Sequence, residues 1–189
     1  MEDSETVRLR PVEERDLDEL GRFDTDPTVG KPFEWTGYRD PRARRRRWET
    51  DGYLGGDYSV LTVALPNGAF TGFVCWWPIR TGGPAESCFE IGIVLFPDHR
   101  GKGIGSAAQR LLAAYLFATT LTNRLQALTD VDNTAEQRAL HHAGFLREGT
   151  MRGAAFCTGQ WRDLALFARL RDDPTPSPEP GDGASALGG

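Results

Sequence analysis

Nine residues, His99 to Ala107, constrain this chain more than any others; they read HRGKGIGSA. Glycines at alternate positions, Gly101, Gly103 and Gly105, remove side chains from a short stretch, and two cations, Arg100 and Lys102, stand among them. An apolar run with strand periodicity precedes the stretch, and a run with helical periodicity follows it. A strand, a bare basic loop and a helix N-terminus in that order make an anion site. Free backbone N–H groups point at the ligand, and the helix dipole adds favourable potential. The order predicts an α/β chain that holds a phosphorylated molecule.

Three loop types compete. A Walker A loop needs Gly, four residues, then Gly-Lys-Ser/Thr; Phe96 and Gly103 stand where that pattern wants Gly and Ser/Thr. The dinucleotide fingerprint is closer, since Gly103 to Ala108 spells G-x-G-x-x-A and Asp130 ends the next apolar run, where a ribose-binding acid would sit. That fingerprint needs the strand to run almost directly into its first glycine, whereas Phe96 to Lys102 intervenes and Pro97 ends the strand early. The third type, R-G-x-G-x-G, resembles the pyrophosphate loop of the GNAT acetyltransferases. Glu90-Ile91-Gly92-Ile93 before it resembles the RimJ/RimL branch of that superfamily, as do Asn133-Thr134-Ala135-Glu136, Ala143-Gly144-Phe145 and Arg147-Glu148-Gly149 after it.

The resemblance spans about residues 5 to 171. It implies an α/β (α+β) fold: a mixed, mostly antiparallel central sheet flanked by helices, with a V-shaped split for acetyl-CoA. It implies an enzyme that moves the acetyl group to a primary amine, a small molecule or a protein N-terminus, by direct attack on the thioester. The alternative is a non-catalytic acyl-CoA-binding sensor or interaction module, which would carry the same loop.

The 189 residues suit one domain, residues 1–171. Residues 172–189 hold four acids, no base, and prolines at 174, 176, 178 and 180, so they read as a disordered tail. That tail carries most of the net charge of −5. The remaining body lacks the broad basic surface of a nucleic-acid binder. No apolar run is long enough for a signal peptide or a membrane span. Cys75, Cys88 and Cys157 are odd in number and far apart. They read as reduced, buried thiols of a cytoplasmic protein, and no metal is expected. A homodimer is one assembly the sequence leaves open.

Periodicity predicts strands at 7–10, 58–65, 69–77, 87–95 and 124–129, and a terminal antiparallel pair at 145–152 and 160–170. Helices are predicted from Glu13, where Leu17, Leu20 and Phe23 share a face, from Asp40-Pro41 to Asp51, and over 104–118 and 134–143. Residues 24–40 read as a loop, and Gly144 as an αL stop.

Several residues admit a chemical and a plain reading. Glu90 shares a strand face with Gly92 and Val94, opposite Phe89, Ile91, Ile93 and Leu95. It is either a solvated strand residue or a general base acting through water. An amine with a pKa near ~10 must lose a proton before it can attack a thioester. Asn133 with Glu136 resembles a capping box; the family resemblance adds a contact of Asn133 with the pantetheine arm. Related sequences carry Ser where Glu136 stands, so the resemblance supplies no general acid. By the same resemblance the strand backbone at Ile93, Val94 and Leu95 pairs with pantetheine, and Arg100, Gly101, Lys102, Gly103, Ile104, Gly105 and Ser106 hold the pyrophosphate. Phe33, Trp35, Tyr38 and Trp48 either pack a loop or wall an acceptor pocket. The run Arg42 to Arg47 is a solvated helix face or an anion lure. His141 and His142 point about 100° apart on a helix and cannot chelate one ion well.

Overall fold

The computed structural model describes residues 7–80 and 88–174. Ser87 and the tail from residue 175 lie outside the described residues. Seven strands form one sheet: β1 (Arg8–Pro11), β2 (Ser59–Ala64), β3 (Phe70–Ile79), β4 (Cys88–Leu95), β5 (Arg124–Asp130), β6 (Leu146–Cys157) and β7 (Gln160–Leu170). Their order is β1-β2-β3-β4-β5-β7-β6. Every neighbouring pair is antiparallel except β4 and β5. A parallel pair needs a crossover, and α4 (Ile104–Thr119) supplies it. The other helices are α1 (Leu17–Thr25), α2 (Pro27–Gly30), α3 (Arg42–Asp51) and α5 (Thr134–His142).

Alternation along β4 divides the core in two. Ile91, with Phe89, Ile93 and Leu95 beside it, joins Ala108, Leu112, Leu116, Leu140 and Phe145 on the α4–α5 face. Val94 points the other way, into a second cluster with Leu17, Leu20, Val29, Tyr53 and Phe73 beneath α1, α2 and α3. Asp16 ties that second layer to the sheet edge. It is 2 % exposed and its carboxylate accepts from Arg10, from the Glu13 N–H and from Thr62.

Two elements differ from expectation. Residues 24–40 are not all loop: Asp26 accepts from Thr28 N–H and starts the single turn α2, with Pro27 in its first turn. The last strand pair is longer than its apolar pattern, because β6 runs on to Cys157 with most of its residues exposed. Alternation fades where neither face meets a core.

The parallel pair positions the site. β4 and β5 are in register only at Cys88–Arg124, Phe89–Leu125 and Glu90–Gln126. Beyond Glu90, β4 continues to Leu95 beside β3, and β5 continues to Asp130 beside β7. The sheet therefore opens into a V from the Glu90–Gln126 rung.

Candidate active site

Past the open end of β4 the chain makes a 3-10 turn, Pro97–His99, then the glycine stretch. Gly101 and Gly103 have φ of +70° and +74°, left-handed values that favour glycine. The first backbone bond of α4 runs from Ala107 N–H to Gly103 O. The N–H groups of Ile104, Gly105 and Ser106 are thus left without intrahelical partners. A Cβ added to Gly105 would point between Leu95 and Ala139, at ordinary contact distance. Its bareness keeps space open there instead of permitting a turn.

The two cations of the loop serve the chain itself. Arg100 donates to the carbonyls of Leu95, at 2.8 Å, Lys31 and Val29. It straps the glycine stretch to the end of α2. Lys102 Nζ donates to Asp98 O at 2.7 Å.

A cleft of about 920 Å³ opens along the split, and Ile93, Leu95, Arg100, Gly101, Gly103, Gly105, Ser106, Asn133 and Phe33 all line it. Val94, Lys102 and Ile104 are not on its wall. Val94 packs in the opposite core layer, Ile104, the first residue of α4, is buried in the core beneath the sheet's α4–α5 face, and Lys102 is exposed. Trp35 stacks edge-on against Tyr38, which is 78 % exposed, and neither lines the cleft. Trp48 donates its indole N–H to Val12 O and packs against the second core layer.

Glu90 sits at the apex of the V, half-buried, its Oε2 accepting from Gln126 Nε2 at 2.9 Å. Burial raises its carboxyl above the ordinary value, and the Gln126 hydrogen bond pulls partly the other way. Asn133 caps α5 by accepting from Glu136 N–H at 3.2 Å. The capping box is only half made. Asn133 N–H donates to Asp130 O, so the Glu136 carboxylate is not spent on the cap and lines the cleft instead. Asp130, the candidate ribose acid, is held by Arg162 at 2.7 and 3.0 Å.

Glu34 was not singled out by its sequence surroundings, yet it lines both this cleft and a second cavity of about 100 Å³ bounded by Leu128, Asp130, Cys157 and Arg162. The two cavities share Phe33, Glu34 and Asn133. The only signal was an acid wedged between two aromatics, Phe33 and Trp35, in a loop. The Cys157 thiol lies 3.3 and 3.4 Å from the carbonyls of Phe33 and Trp35 and pins that loop.

The acetyltransferase (GNAT) domain model matches residues 6–146. The chain belongs to the GNAT acetyltransferase family. An uncharacterized N-acetyltransferase, p20, of Bacillus licheniformis is 26% identical over 172 residues, covering 89% of this chain and 94% of that protein. The structure of Mycobacterium smegmatis RimJ in complex with CoA-disulfide matches with a TM-score of 0.72 and 27% identity, over 89% of this chain and 83% of that one. Spermidine N-acetyltransferase from Vibrio cholerae, in complex with CoA and spermine, has the same fold: TM-score 0.75, 17% identity, 89% and 97% coverage. This GNAT chain is therefore an acetyl-CoA-dependent N-acetyltransferase of the RimJ/RimL-like branch. The free N–H groups at the start of α4 and the space kept by Gly105 fit a pyrophosphate. Among the described residues no cluster of His, Cys, Asp or Glu could hold a metal, and no helix is long and apolar enough to cross a membrane.

Proposed function

We propose that this cleft holds acetyl-CoA with its pyrophosphate on the Gly101–Ser106 backbone, its pantetheine beside Ile93 to Leu95 and Asn133, and its thioester near the apex. The acceptor is a cytoplasmic primary amine, on a small molecule or a protein N-terminus. One observation carries the reading: the unpaired N–H groups of α4 open onto the same cleft as the free edge of β4. Backbone N–H groups are the natural partners of both pyrophosphate oxygens and amide carbonyls.

Glu90 takes the substrate proton, through water, at the point where β4 and β5 part. Its raised pKa makes it a stronger proton acceptor than an ordinary carboxylate. A backbone N–H at Val94 or Leu95 supports the tetrahedral oxyanion. Phe33 walls the acceptor side of the cleft, with Trp35 and Tyr38 behind it. Four of the five arginines of the basic helix α3 are held by acids, Arg44 by Asp24, Arg45 by Glu14, Arg46 by Asp40 and Arg47 by Asp51, which weighs against an anion lure and against nucleic acid as the partner.

The test is thiol release from acetyl-CoA across a panel of alkylamines, polyamines, amino sugars and N-terminal peptides. Amine-dependent free thiol is expected with at least one class. Acetyl-CoA binding without amine-dependent thiol from any of them would favour the sensor reading.

A further inference from the structure

The neighbouring strands β5 and β7 bury one face and leave the other half open. Leu125, Ala127, Ala165 and Phe167 pack in the α4–α5 core. On the opposite face Leu128 stands in register with Leu166, and Leu164 with Asp130. Among the described residues these three leucines join neither core layer, and each is only half-buried. Leucines grouped outside any core form an apolar floor that gains free energy when something apolar covers it. The loop after α2 roofs part of this floor. Phe33 and Glu34 bound the second cavity, of about 100 Å³, together with Leu128, Leu164 and Ala155. Cys157 holds the roof through the carbonyls of Phe33 and Trp35.

The floor lies on the Glu90 face of the sheet. Gln126, which meets Glu90 on the last parallel rung, comes two residues before Leu128 on β5 and so shares its face. Ile93 and Leu95 line the large cleft from the other face of β4. The two cavities join at Phe33, Glu34 and Asn133. Resting on the transferase reading above, we propose that the β5–β7 floor and the second cavity form the subsite for the body of the acceptor, and that the acceptor is a primary amine bearing a branched apolar group of about four carbons. A small alkylamine and a peptide N-terminus with an apolar first side chain share that chemistry.

Distances along the strand set the order of the groups. At the rise of an extended strand, Leu128 lies about 7 Å beyond Gln126 and Asp130 about 13 Å beyond it. An amine held at Glu90 therefore lays its next few carbons over the leucines. A dry cavity of about 150 Å³ accepts benzene, so one of about 100 Å³ suits a group the size of isobutyl. A polyamine fits less well. Its second ammonium would lose water over leucines. Beyond them Asp130 spends both oxygens on Arg162, at 2.7 and 3.0 Å, and has no free charge to offer.

The experiment uses the full chain with acetyl-CoA and two matched pairs of acceptors, isoamylamine against 1,4-diaminobutane and Leu-Gly-Gly-amide against Lys-Gly-Gly-amide. In each pair the apolar member should have the higher kcat/KM, by about 10- to 100-fold, the discrimination of a few buried methylenes. The pair with the higher absolute values tells a small amine from a peptide N-terminus as the source. Leu164→Asp should cut the apolar preference by about 10-fold or more. Ala155→Leu, which fills the cavity, should raise the KM for isoamylamine by about 10-fold and leave that for ethylamine in place. An unchanged KM for acetyl-CoA marks both variants as folded. A wild type that prefers the diamine and the lysyl peptide would overturn the subsite, and so would an apolar preference that neither variant moves. Failure of wild type to release thiol with every acceptor would instead count against the transferase reading. Methyl resonances of ¹³C-leucine-labelled, CoA-loaded protein then decide the subsite: isoamylamine should move those of Leu128, Leu164 and Leu166, and 1,4-diaminobutane should not. Methyl groups blind to isoamylamine would overturn it.

Discussion

Along Gly101–Ser106 the cleft presents backbone N–H groups, whereas around Glu34 and Glu136 it presents side-chain carboxylates. The first region is a run of consecutive residues. The second brings together two residues more than a hundred positions apart. The cations differ in the same way from what their sequence context suggests. Arg100 and Lys102, in the anion loop, bind carbonyls of their own chain. A loop can thus be built for phosphate by its backbone while its basic side chains hold it in shape.

The largest effect is expected at the rung where β4 and β5 part. Glu90→Gln should lower kcat by roughly 100- to 1000-fold, within the range of lost general-base catalysis. The loss should shrink as pH rises and more amine arrives deprotonated, and acetyl-CoA affinity should barely change. Superimposable pH–rate profiles for the variant and wild type would remove Glu90 from the chemistry. In the backbone region, Gly105→Val should weaken acetyl-CoA by about 100-fold in calorimetry, as several charge-assisted contacts are lost together. Its melting temperature should fall far less than its affinity, because the Cβ itself would meet Leu95 and Ala139 at ordinary contact distance and φ is not left-handed there. Gly103→Ala should behave in the opposite way. Its left-handed φ makes the cost conformational, about 1–2 kcal/mol of stability by denaturant titration.

How much of this was legible follows the same division. The glycine loop, the faces of β4 and the helix after it could be read because each is local: consecutive glycines, alternation by two, apolar residues at helical spacing. The resemblance supplied the split, which hydrophobic pattern alone would not, since only the three register pairs Cys88–Glu90 with Arg124–Gln126 mark it. Glu34 was illegible because nothing in Phe33-Glu34-Trp35 reveals that Arg100 and Cys157 hold that loop over the cleft. Glu136 was misread as half of a capping box because the spacing was right, and the chain gave Asn133 N–H to Asp130 O instead. The arginines of α3 read as one block, but Arg44, Arg45, Arg46 and Arg47 each have an acid of their own, brought in from α1, the 3-10 turn Glu14–Asp16, the residues before the helix, or its end.

A smaller effect concerns stability against pH. Glu136, half-buried in the cleft, has its carboxyl pushed up to about 8 by burial, so the folded chain holds that proton more tightly than the unfolded chain does. Its contribution is present below the ordinary value of 4.5 and is lost as pH rises through about 8. Melting temperature without ligand should therefore fall across that window in wild type and fall less in Glu136→Gln. Equal slopes would show that Glu136 is solvated like any surface acid. The smallest effect is expected on α3, where Arg45→Gln and Arg46→Gln remove exposed pairs and should leave the melting temperature unchanged.

Two-substrate initial-rate kinetics on Gly105→Val and Phe33→Ala, run side by side, separate the two ends of the cleft directly. Gly105→Val should raise the KM for acetyl-CoA and leave the KM for amine in place, and Phe33→Ala should do the reverse. If both variants raised the same KM, the two ends would serve one ligand, and the division of the cleft between cofactor and acceptor would be wrong.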